Sequence, residues 1–79
     1  MEINETLDLK GVPCPQNSAR TLIKLAGMDK GEILQVILDD GEPIENVPPS
    51  IEDEDEYKIV STEQNSDGSW RLVIRVERS

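Results

Sequence analysis

Leu7-Asp8-Leu9-Lys10-Gly11-Val12-Pro13-Cys14-Pro15-Gln16-Asn17 joins two different hydrophobic periods, and where one gives way to the other decides the fold. Upstream, Thr6-Leu7-Asp8-Leu9 alternates polar and apolar, the pattern of a half-buried strand, and Gly11 and Pro13 end it. Downstream, from Ser18 to Met28, the spacing becomes helical. Ala19, Leu22, Ile23 and Ala26 fall at i, i+3, i+4 and i+7 and are the expected core face, with Arg20 and Lys24 on the opposite one. Pro15 suits the first helical position, where its fixed φ fits and its missing N–H would have had no intrahelical partner. The stretch therefore predicts strand, loop and helix, with Cys14 at the junction.

Cys14 is the single cysteine of a chain without histidine. A thiol at a helix N-terminus lies beside unpaired backbone N–H groups and the positive end of the peptide dipoles, which lower its pKa and favour the thiolate. A free cysteine often serves instead as a small buried apolar residue. A residue of that kind is expected within the apolar periodicity, whereas Cys14 stands between Pro13 and Pro15 in a loop, where functional groups are presented.

Outward from this junction, Ile33-Leu34-Gln35-Val36-Ile37-Leu38 is a nearly continuous aliphatic run between Gly31 and Asp39-Asp40-Gly41, and predicts a central strand. Pro43 opens a second helix with Ile44, Val47 and Ile51 towards the core. Pro48 and Pro49 each remove a helical donor, so this helix is expected to begin irregularly and become regular from about Pro49 to Glu54. Tyr57–Thr62 and Trp70–Val76 read as strands joined by the turn Asn65-Ser66-Asp67-Gly68. In the last strand Trp70, Leu72, Ile74 and Val76 share one face and Arg71 and Arg75 the other. The expected fold is α/β (α+β), a two-layer sandwich of order β-α-β-α-β-β, with two helices on one face of a four-stranded mixed sheet.

The 79 residues allow one domain, residues 1–79, with an aliphatic core: there is no Phe, one Trp and one Tyr. One cysteine forms no internal disulfide. Met1-Glu2-Ile3-Asn4-Glu5 lacks the features of a secretory signal and no apolar run is long enough to span a bilayer, so the expected location is the cytoplasm. Seventeen acidic against eight basic residues give a net charge of −9, which repels phosphate backbones and argues against nucleic-acid binding. Nine carboxylates and no Lys or Arg lie between Asp39 and Glu56, an acidic face that solubilises the chain or meets a basic partner. No Cys–His pair, phosphate loop or metal-ligand cluster is present, so no metal, cofactor or stand-alone enzyme is expected.

The residues resemble the TusA/SirA-like sulfur carriers. The resemblance rests on Leu7 to Pro15, on Gly31-Glu32 leading into an aliphatic strand that ends in Asp39-Asp40, on Ile44-Glu45-Asn46-Val47-Pro48, and on Trp70-Arg71-Leu72-Val73-Ile74-Arg75. It implies a protein whose Cys14 accepts a sulfane sulfur from a cysteine desulfurase or rhodanese-like donor and relays the persulfide to an acceptor, on a route such as tRNA thiolation or cofactor sulfuration. It also implies that Pro15 shapes the loop and starts the helix, and that Asp39 and Asp40 belong to partner docking near the thiol. The family pattern is Cys-Pro-x-Pro, and Asn17 stands where the second proline would be. Leu22 occupies the place of a frequent basic residue, with Arg20 and Lys24 nearby as candidate partner contacts. Pro13, Pro15 and Asn17 are thus the loop-shaping candidates. Arg20, Lys24, Asp39 and Asp40 are the docking candidates.

Two other functions fit the same chain. One is a protein-interaction or regulatory module of this fold without sulfur chemistry, using Arg20, Lys24 and the acidic side. The other, a thiol redox sensor, needs an external resolving thiol because the chain has no second cysteine.

Overall fold

The computed structural model describes residues 2–13 and 16–77. Its elements follow the expected order: β1 (Glu5–Asp8), α1 (Gln16–Ala26), β2 (Ile33–Leu38), α2 (Glu42–Glu52), β3 (Tyr57–Gln64) and β4 (Trp70–Val76). They form one four-stranded sheet in the order β1-β2-β4-β3. β1 is parallel to β2, and the β2–β4 and β4–β3 pairs are antiparallel, so the sheet is mixed.

β2 and β4 occupy the middle of the sheet, which explains their apolar content. Leu34, Val36 and Leu38 of β2 and Leu72, Ile74 and Val76 of β4 are fully buried, and they pack with Leu25, Met28, Val47 and Ile51 from the helical layer. Both strands have the boundaries expected from sequence. β1 begins and ends one residue early, and β3 continues two residues further, to Gln64.

Helix α1 is rotated relative to the expected orientation. The buried positions are Asn17, Thr21 and Leu25, followed by Met28, whereas Ala19 and Ala26 are exposed and Ile23 is 73% exposed. Leu22 alone of the expected face is partly buried against the core. Two polar residues occupy this face because their polar groups are matched. The Thr21 hydroxyl donates to the Asn17 carbonyl at 2.8 Å, and Asn17 Oδ1 accepts the Ser18 amide at 2.7 Å. A hydrogen-bonded polar group escapes most of the penalty of burial. Two alanines, by contrast, have little apolar area to gain.

α2 also differs from expectation. It is helical from Glu42, with Pro48 and Pro49 inside it. Val47 and Ile51 are fully buried and Ile44 packs against the core, so the apolar face is the expected one and its packing holds the helix despite two missing donors. The Ser50 hydroxyl donates to the Asn46 carbonyl at 3.1 Å.

The β3–β4 turn is closed by Asp67. Its Oδ1 accepts the Ser69 hydroxyl at 2.6 Å and the Ser69 amide at 2.9 Å. These bonds, the hydroxyl first, hold the Asp67 pKa below its ordinary 3.8. A pKa depressed on folding means that this stabilisation is complete above the unfolded value and is lost as pH falls through the lower folded value. Asp67→Asn should therefore lower the protection of the Ser69 amide against hydrogen exchange at neutral pH and remove the loss of protection that the native chain shows as pH falls through the acid range. The check is amide exchange by NMR across the acid range.

Candidate functional site

The loop before Cys14 is fixed at both ends by bonds to other parts of the chain. The Leu9 amide donates to the Ile37 carbonyl at 2.9 Å, continuing the β1–β2 pairing. The Gly11 amide donates to Asp39 Oδ2 at 2.6 Å. Gly11 has φ +82°, which a side chain would strain, and this conformation aims its N–H at the carboxylate. Asp39 at the end of β2 thus ties down the loop that leads to the cysteine. On the helical side, the Asn17 amide donates to the Pro13 carbonyl at 3.2 Å, a bond of helical span across residues 13–17. Cys14 and Pro15 lie outside the described residues.

Asn17 is completely buried, and its Oδ1 satisfies the Ser18 amide in the first turn of α1. The Asn17 side chain therefore takes a helix-start N–H, where a family-type proline offers no acceptor. An open cleft of about 400 Å³ lies beside the loop, lined by Gly11, Val12, Pro13, Asp39, Glu42 and Pro43. Two of these six are carboxylates, which suits a cationic group arriving from a partner.

The other candidate residues do not converge on one point. Asp40 Oδ1 accepts the Trp70 indole N–H at 2.8 Å and so joins β4 to the end of β2. Lys24 Nζ is paired with Glu5 Oε1 at 2.9 Å, across to β1, with both side chains partly exposed. Arg20 is exposed on α1, as are Ala19, Ile23 and Ala26. Ile23, expected in the core, is instead a large apolar side chain in solvent on the helix that follows the cysteine. Periodicity marks this stripe as apolar, but the rotation of α1 places Ala19, Ile23 and Ala26 in solvent.

The sequence model described as Sulfurtransferase TusA matches residues 5–76, a span that contains Cys14 and all six elements. The chain belongs to the TusA family. A protein of Archaeoglobus fulgidus named as a candidate sulfur carrier is 37% identical over 75 residues, covering 95% of this chain and 84% of its own length. A similarly named protein of Thermotoga maritima is 28% identical over 76 residues, covering 96% and 95%. The crystal structure of a SirA-like protein from Desulfitobacterium hafniense superposes with a TM-score of 0.79 over 94% of this chain and 99% of that one. At 21% identity it bears on the fold alone. The family match agrees with the four-stranded mixed sheet and two helices, and with the order of elements that the sequence implied. No helix among the described residues is long and apolar enough to cross a membrane.

Proposed function

We propose that this TusA-family protein is a sulfur carrier in which Cys14 takes up a sulfane sulfur as a persulfide and passes it to a partner. The observation that carries this reading is the loop of residues 11–13, anchored by Asp39 and leading directly into the single cysteine of the chain. In the transfer, the Cys14 thiolate attacks the terminal sulfur of a donor persulfide. A Cys14–sulfur bond forms, the donor's S–S bond breaks, and the donor leaves as a thiolate; the sulfur moves without an external oxidant or reductant. A nucleophile on the acceptor then takes the terminal sulfur and regenerates the Cys14 thiolate.

Pro13, Pro15 and Asn17 shape the loop in this scheme. The exposed face of α1 meets the donor protein: Ile23 supplies an apolar contact and Arg20 a charge, with Lys24 already engaged by Glu5. Asp39 and Asp40 work indirectly, holding the loop and the end of β2 in place. The donor is a cysteine desulfurase or rhodanese-like protein, and the acceptor belongs to a route such as tRNA thiolation or cofactor sulfuration. The relay operates in the cytoplasm, within one domain spanning 1–79.

The test is intact mass spectrometry after incubation with a cysteine desulfurase and cysteine. A gain of one sulfur per chain, reversed by reductant, is the expected result. No gain from several donors, on a chain whose thiol is shown to be reduced, would replace the carrier by an interaction module using the same α1 face.

A further inference from the structure

The sheet face away from the helices carries two arginines of β4 in opposite electrostatic settings. Arg71 stands across from Glu63 of β3, and the two form an ion pair at 2.7 Å. Arg75, four residues on and on the same face, stands across from Lys58. Like charges in directly opposed positions of an antiparallel pair destabilise it. Such a pair is unexpected in a chain where acids outnumber bases by seventeen to eight. Neither cation is well compensated among the described residues. Among the described residues Lys58 forms no ion pair, and Glu77 reaches Arg75 Nε only at 3.7 Å, too long for a hydrogen bond.

An open cleft of about 580 Å³ lies at this pair, lined by Asn4, Gly31, Ile33, Lys58, Val60 and Arg75 among others. Ile33 is the β2 partner of Arg75, so a row of Ile33, Arg75 and Lys58 runs across three strands. Glu2 also lines the cleft, one carboxylate against two cations. The volume is in the range of small-molecule sites. The row sits where β2 begins, at the opposite end of the sheet from the loop of residues 11–13, which follows the end of β1.

We propose that this cleft is a binding site for a small organic anion, its carboxylate or phosphate head held between Lys58 and Arg75 and its apolar body against Ile33 and Val60. The facing cations, a liability within the sheet itself, become the two sides of a charge-assisted clamp when an anion bridges them. This site does not depend on sulfur chemistry at Cys14.

The test uses two probes with the same body, hexanoate and hexyl phosphate, titrated against the isotope-labelled full chain by NMR. One or both should give saturable amide shifts centred on residues 31–33, 58–60 and 74–76, and the stronger arm identifies the head group. Lys58→Gln and Arg75→Gln should each weaken that binding about tenfold or more, and Arg71→Gln should leave it unchanged. Without ligand, Lys58→Glu should raise Tm by about 2–8 °C by turning a repulsive cross-strand pair into an attractive one, and should abolish binding. No saturable shift with either probe up to about 10 mM, ten times a weak Kd of about 1 mM, overturns the proposal. Binding that survives both glutamine variants overturns it equally.

Discussion

A Cys14→Ser chain should fold as the native chain does and take up no sulfur. Sulfur uptake requires a nucleophile that can form an S–S bond, and a hydroxyl at neutral pH is neither ionised nor a sulfur ligand. Cys14 is the only thiol, so no second residue can substitute for it. The expected effect is complete, from one sulfur per chain to none, read by intact mass spectrometry after incubation with the same donor. The fold should tolerate the change because serine is close in size to cysteine and is favoured around helix starts. Thermal unfolding should agree within about 4 °C. Loading that persists in the variant would remove Cys14 from the mechanism.

The parts of this protein that were legible in its sequence are those where apolar content alone decides the environment. β2 and β4 are central strands, buried along one face, and their apolar runs define their limits. The apolar face of α2 was legible for the same reason, although its two internal prolines pointed to a later helix start than the structure has. α1 was legible as a helix but not in its rotation. Periodicity counts residue types, and Asn17 and Thr21 are polar types for which the Asn17 Oδ1 and the Thr21 hydroxyl find partners within their own helix. Leu25 and Met28 bring larger apolar areas to that face than Ala19 and Ala26 would have brought to the other.

The tethers around the candidate site were illegible for a different reason. Gly11 and Asp39 are 28 residues apart, Trp70 and Asp40 30, and Lys24 and Glu5 19. Each end of these bonds has an ordinary local explanation: a glycine that ends a strand, acids in a turn, charges on a helix surface. Only the parallel pairing of β1 with β2 brings Gly11 beside Asp39. The sequence therefore located the cysteine loop, and the sheet topology supplied what holds it.

Asn17→Ala should lower stability by about 1–3 kcal/mol, the cost of leaving a part-buried amide without its acceptor and of truncating a fully buried side chain. For 79 residues the whole stability is about 4–12 kcal/mol, so the loss is a large share. It should appear as a fall in Tm of about 5–20 °C. Thr21→Val is the informative comparison. It removes a hydroxyl donor at the next turn of the same buried face while preserving shape, and it leaves only a carbonyl with one bond fewer. Its cost should be about 0.5–1.5 kcal/mol. The two residues are linked through the Asn17 carbonyl, so the double variant should depart from additivity. If Asn17→Ala proved no more costly than Thr21→Val, the amide acceptor would not be what retains a buried asparagine where the family pattern has proline. If the expected order holds, Asn17 performs by hydrogen bonding the work of fixing the helix start that a proline performs by restricting φ, and sulfur loading should fall with the loss of that order even though Cys14 is unchanged.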